Sequence, residues 1–290
     1  MKSLLVFVTI VSFSLSAYGQ KLPVVWDELT SSDFVEAVKK SEGVCLIPLG
    51  VIEKHGQHLP LGTDVFQAQA ICRRAAEKEY CIVFPALFTG QIFEAKQQPG
   101  TIAYSSELML RFLDETCKEI SRNGIKKIML INSHGGSNAL LQYFCQIQLE
   151  SPRDYAVYYS NTAVSQDVQR RINEMRKSDT GGHADEVESS CMLAIRPDLV
   201  QMERAITESG SSKNRLNMPL YTGIWWYSLF PNHYAGDAKD ANVALGEISI
   251  EGSVAELIRW IKAVKADNNT IQLQNEFFKE SLSPLDTKAK

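Results

Sequence analysis

The sequence has no excess of positive charge. Lysine and arginine number 30 against 34 aspartates and glutamates, for a net charge of −4, so no basic face for a nucleic acid is expected. None of its six cysteines forms a CxxC or CxxH pair, so a thiolate zinc site is not indicated. Most of them fall in apolar patterns, so buried free thiols are expected. One disulfide stays open, with no partners named by the sequence. There is no internal repeat and no low-complexity linker. Histidine is scarce, with five in 290 residues, so the places where it clusters carry weight.

The chain also has no apolar run of the roughly 20 residues that span a bilayer. The nearest is Leu4 to Ala17 in MKSLLVFVTIVSFSLSAYGQ. Lys2 precedes it, and the small residues Ala17 and Gly19 follow at the −3 and −1 positions of a cut after Gly19. That pattern is an export signal, and no cysteine follows it to carry a lipid. Residues 1–19 are therefore set apart from the fold, and a periplasmic or secreted protein is expected, with no membrane attachment after cleavage. An uncleaved anchor or a buried strand is the alternative.

What remains is ordinary in composition, 44% apolar and 22% charged, enough for one large domain. GVCLIPLG (Gly43–Gly50) reads as a buried parallel strand, and so do CIVFPAL (Cys81–Leu87), KKIMLIN (Lys126–Asn132) and YAVYYSN (Tyr155–Asn161). Between them, helical spacing follows Asp64, Ser105 or Ser106 opens a helix that Gly124 ends, and residues 137–150 form another. Residues 184–195 and 241–266 also read as helices. Alternating strand and helix predicts an α/β protein with a mostly parallel sheet covered on both faces. One domain is expected from residue 20 to 290, with a loosely held tail from about 267, where periodicity is lost.

Ligands bind such sheets at the carboxyl ends of the strands, and the polar clusters fall there. PLGVIEKHGQHLPLGTD follows the first strand and carries Glu53, His55, His58 and Asp64. Glu53 and His55 are two apart, so an extended segment points them the same way. Asp64 starts a helix and so has a second reading as a helix cap. His134 follows the third strand and precedes Gly135 and Gly136, whose N–H groups are open to an anion or a carbonyl oxygen. GGHADEVESS adds His183, Asp185, Glu186 and Glu188. Glu186 and Glu188 point to different helix faces, so only one faces the site, and Glu188 lies beside the apolar stripe. Imidazoles with carboxylates suit Zn²⁺, Mn²⁺ or related ions. Two metals sharing a carboxylate acidify a bridging water and polarise a carbonyl, which is hydrolytic chemistry. The aromatic run YTGIWWYSLF places Trp225 and Trp226 either as a flap over substrate or in packing. His233 reads as a loop histidine.

Together these motifs, with PGT at Pro99–Thr101, resemble the creatininase (creatinine amidohydrolase) family over about Pro48–Pro197. A weaker echo occurs in Tyr234–Glu247. The resemblance implies a three-layer αβα sandwich and two divalent metals, zinc or manganese. It implies hydrolysis of a small-molecule amide or lactam C–N bond by a metal-bridged hydroxide, and a homo-oligomer, hexameric in several members. It implies Glu53, Asp64 and His134 around one metal and His55 with a bridging Asp64 at the other. Glu188 matches the second acid of a family motif and is read as a metal ligand and an acid of the site. His183 matches a histidine near the substrate and is a candidate proton shuttle, and Gly135, Gly136, Trp225 and Trp226 are read at the substrate. The family carries a metal-binding glutamate where this chain has Gly136, and Glu188 is read as the replacement. Ser137 and Asp185 also depart from the pattern, which points away from creatinine to another amide. The alternatives are a metal-dependent hydrolase or isomerase acting on a sugar derivative, and a non-catalytic binding protein.

Overall fold

β1 (Val44–Leu49) has the sequence VCLIPL, and all six residues are buried. A strand that is apolar on both sides must be covered on both sides, and the computed structural model shows how. It describes residues 21–179 and 181–286. The export-signal reading of residues 1–19 lies outside them. The sheet runs β2 (Ile82–Val83), β1, β3 (Lys127–Asn132), β4 (Ala156–Asn161), and every pairing is parallel. Val44 and Leu46 pack with Ile71, Cys72 and Ala75 of α2 (Thr63–Lys78) and with Ile250, Val254, Leu257 and Ile261 of α8 (Val243–Ala266). Cys45, Ile47 and Leu49 pack the other way, on Ala37 of α1 (Ser31–Lys40), Leu113, Cys117 and Ile120 of α3 (Ser106–Arg122), and Leu141 and Phe144 of α4 (Asn138–Ile147). This is the three-layer αβα sandwich.

Some elements differ from the sequence reading. The strand expected at Cys81–Leu87 is only two residues long. Pro85 interrupts it, having no N–H for the ladder, and pairing resumes as one bridge from Leu87 to Leu49. α1 and α5 (Gln166–Met175) were not anticipated. After Ala266 the chain forms α9 (Thr270–Ser281), which buries no residue of its own. Hydrogen bonds tie its start instead: Tyr158 donates to Asp267 and Gln274 donates to the Tyr155 carbonyl. All six cysteines are free, five of them buried.

α6 (Glu186–Ile195) crosses α8 closely. A Cβ added at Gly246 would stand 1.9 Å from the Ser190 carbonyl oxygen. Gly246→Ala must push α8 off α6, and overpacking of this kind costs about 1–3 kcal/mol. The expected result is a melting temperature lower by roughly 3–10 °C, read by calorimetry. An unchanged melting temperature would mean the helices are not packed this closely.

Candidate metal centre

The register aligns Leu49, Asn132 and Asn161 at the carboxyl edge of the sheet. The segments leaving that edge carry the polar cluster. After β1 the chain turns back on itself: Glu53 N–H donates to the Leu61 carbonyl (3.0 Å), and Gly56 turns with φ +59°. Gly50 lets the return pass; a Cβ there would lie 2.5 Å from Val65 N. Asp64 thus arrives beside Glu53. Lys54 points the other way and anchors the loop, donating to Glu208 and to the Asn232 carbonyl. After β3, buried Asn132 clamps the next loop: its amide donates to the His134 carbonyl and its Oδ1 accepts from His134 N–H.

The hydrogen bonds assign the imidazole tautomers. His134 Nε2–H donates to the Gln91 carbonyl at 2.9 Å. Nδ1, the nitrogen left for a second proton or a metal ion, then faces Glu53 Oε1 at 2.8 Å and Asp64 Oδ2 at 3.2 Å. His55 Nδ1–H points at the Glu53 carbonyl (3.3 Å), which leaves Nε2 facing Asp64 Oδ1 at 3.3 Å and Glu188 Oε1 at 3.6 Å. The two oxygens of Asp64 are divided between the two rings. Glu53 Oε1, Asp64 Oδ2 and His55 Nε2 are buried with no hydrogen-bond partner assigned to them among the described residues. Buried acceptors facing one another are costly unless a cation or a proton sits between them. Two sets follow, in each of which one ligating atom per residue lies within 4.8 Å of the others: Glu53, Asp64 and His134, and His55, His183 and Glu188. The donor set of imidazole nitrogen and carboxylate oxygen fits divalent transition ions.

Asp64 is not a helix cap. The N-cap of α2 is Gly62, and no side-chain bond caps that helix. Asp185 does cap α6, accepting from Glu188 N–H and Gly182 N–H. Glu186 faces away and accepts from the backbone of Lys177 and Ser178. Glu188 faces the centre, with its second oxygen held by Ala184 N–H. His58 stays outside and bonds Ser189 Oγ at 2.8 Å. His183 is pinned by a two-way backbone bridge to Ala235, and its Nε2–H donates to the Lys54 carbonyl at 2.7 Å.

That bridge also delivers His233, which the sequence left as a loop residue. His233 is buried, its Nε2 bonds Glu53 Oε2, and its Nδ1 accepts from Trp226 Nε1–H at 3.0 Å. With Glu53 and His183 it forms a third ligating set. Its left-handed φ of +53° is uncommon outside glycine, though histidine takes it more readily than most residues, and such backbone gathers at functional sites. A cavity of about 360 Å³ opens over the cluster, lined by Gly135, Gly136 and by Trp225 and Trp226 of α7 (Trp225–Leu229). Trp226 therefore both faces the cavity and holds His233.

Burial works against charge here, but the pairings outweigh it for four groups. Glu188 and Asp64 hold the His55 pKa well above its usual value, and Glu53 and Asp64 do so for His134. The imidazoles in turn hold Glu53 well below the carboxylate range and Glu188 at about 2. Burial wins at His58, which falls to about 4, and it lowers His183. In metal-free protein the stability from His55 and His134 is full below about pH 6.5 and is lost as pH rises through their folded values. That from Glu53 and Glu188 is lost only as pH falls through their depressed values, whereas His58 and His183 destabilise below about pH 6.5 as the unfolded chain takes up protons. Chelator-treated protein is expected to melt highest near about pH 6. Equal melting temperatures from about pH 5 to 9 would contradict these charge states.

Fold and site define an α/β protein with a histidine–carboxylate metal centre at the carboxyl edge of its sheet. The chain belongs to the Creatininase family, whose model, described as creatinine amidohydrolase, matches residues 27–261. It is 26% identical over 193 residues to the creatinine amidohydrolase of Pseudomonas putida, covering 62% of this chain and 74% of that one. It is 25% identical over 194 residues to the 3-dehydro-scyllo-inosose hydrolase of Thermotoga maritima, covering 63% of this chain and 60% of that protein. It is 28% identical over 199 residues to a mycofactocin precursor peptide peptidase of Mycobacterium tuberculosis, covering 65% and 72%. A crystal structure of creatinine amidohydrolase superposes with a TM-score of 0.72 at 22% identity, over 85% of this chain and 99% of that one. Two further creatininase structures, one described as a Zn-Zn type and one as "Creatininase Mn", each give 0.71 at 21% identity over 84% of this chain, and 99% and 100% of theirs. At these identities the structural likeness concerns the fold.

Proposed function

We propose that the protein is a metal-dependent hydrolase of a C–N amide or lactam bond in a small molecule. The observation that carries this is Asp64, whose two oxygens face the free nitrogens of two imidazoles in a buried pocket. Glu53, Asp64 and His134 would hold one divalent ion, and His55, Asp64 and Glu188 a second, zinc or manganese as in the structures described for the relatives. Such ions supply a Lewis acid for a carbonyl and an acidified water.

The chain's own residues do the rest. Gln91 and the Glu53 backbone fix the rings of His134 and His55 through their second nitrogens, as ligating histidines require. His233 and Trp226 fix Glu53. His183 is held neutral with Nε2–H engaged, so Nδ1 is the nitrogen left to take a proton and pass it to a leaving amine. Gly135 and Gly136 let a substrate carbonyl approach backbone N–H groups, and the tryptophans exclude water. Export after Gly19 and assembly into a homo-oligomer, a hexamer by family resemblance, belong to the same proposal. The mass of the exported chain and light scattering test them.

The similarity to an inosose hydrolase favours one second reading, hydrolysis of a sugar-like ring. Incubating metal-loaded protein with linear amides, lactams and cyclic polyol ketones separates the two. Release of amine or ammonia from the amides and lactams is expected. Ring opening of the polyols with no amine release would move the assignment to the second reading.

A further inference from the structure

The cavity over the metal centre has a neighbour. A wider chamber of about 650 Å³ adjoins it, and the two share Glu94, Gly135, Gly136 and Trp225. Phe93, Tyr221, Ile224 and Tyr227 give the outer chamber an aromatic and apolar wall. Glu94 stands at the junction, on a single turn from Phe93 to Ala95. Gln91 Nε2–H donates to its Oε2 at 2.6 Å.

Gly136 makes this arrangement possible. A Cβ at that position would lie 2.9 Å from Gln91 Oε1. A side chain there would take the space that Gln91 uses to hold Glu94 at the cavity. The other acids of the cavity have imidazole partners: Glu53 with His134 and His233, Asp64 with His55 and His134, Glu188 with His55. Among the described residues Glu94 has none, and no lysine or arginine lines either chamber. Ions held at the centre would neutralise the first three carboxylates and leave Glu94 as the free negative charge of the substrate path. A half-buried carboxylate with no counter-charge selects a cation.

We infer that Glu94 binds a cationic nitrogen (ammonium, amidinium or guanidinium) carried by an amide substrate, and that the outer chamber takes the part of that substrate beyond it. This deepens the hydrolase reading and rests on it for the identity of the bond that breaks.

The test is binding, so it does not depend on turnover. Metal-loaded protein is titrated by calorimetry with 5-aminopentanamide and with hexanamide, its uncharged isostere. The ammonium probe is expected to bind about tenfold tighter or more, Glu94→Gln to erase that preference and Glu94→Lys to invert it, with metal content unchanged in both variants. Equal preference in wild type and Glu94→Gln would overturn the assignment. Loss of ions in Glu94→Gln would overturn it too, because the carboxylate would then serve the metals. Absence of ammonia release from either probe counts against the hydrolase reading alone, and the binding ratio still decides the role of Glu94.

Discussion

Asp64→Asn is expected to leave the protein folded and its centre nearly empty. The side chain keeps its shape but gives up its charge and one of its two acceptor oxygens. In the native chain those oxygens lie 3.3 Å from His55 Nε2 and 3.2 Å from His134 Nδ1, so one substitution strikes a ligand proposed for both ions. Loss of a residue that only orients a ligand already weakens metal binding about 10–100-fold, and loss of a shared ligand should exceed that. Metal content should fall from two equivalents to less than one, and turnover by about 10³-fold or more. The chelated variant should stay folded but melt below chelated wild type at about pH 7.5, since Asp64 helps hold His55 and His134 protonated there. Elemental analysis and calorimetry read both. Full occupancy in Asp64→Asn would show that the aspartate does not bridge.

Gly136→Glu would place the acid usual in the family, and it is expected to remove an ion rather than add a ligand. A Cβ there falls 2.5 Å from His134 Nε2 and 3.1 Å from the Gln91 carbonyl oxygen. It would break the hydrogen bond that aims His134 at Glu53 and Asp64. Gly136→Ala carries the same Cβ and should show the same loss, about 1–3 kcal/mol of stability with one equivalent of metal gone, which separates crowding from charge. If Gly136→Glu keeps both ions and full stability, the loop yields easily, and the glycine is not what shapes this side of the centre.

Much of this arrangement could be read from the chain because short-range rules govern it. Apolar runs marked β1, β3 and β4, and the polar segments at their ends put Glu53, His55, Asp64 and His134 on one edge. Helical periodicity separated Glu186 from Glu188, and the structure does turn only Glu188 inward. His233 was not legible because nothing local marks it. It lies 180 residues from Glu53 in sequence, and long-range links, the His183–Ala235 bridge and the Lys54–Asn232 hydrogen bond, bring the two together. The left-handed backbone at His233 was equally silent, since no glycine announces it. Glu94 escaped notice because its role depends on the missing side chain at Gly136, 42 positions along the sequence. The short β2 was overread for a simpler reason, in that its apolar run outweighed the effect of Pro85.

The most direct measurement is a metal titration of the chelator-stripped chain, followed by elemental analysis after dialysis. Two equivalents of zinc or manganese per chain are expected, with protons released as His55 and His134 give up theirs. A chain that retains no ion, or binds ions without releasing protons, would contradict a two-ion centre built on Asp64.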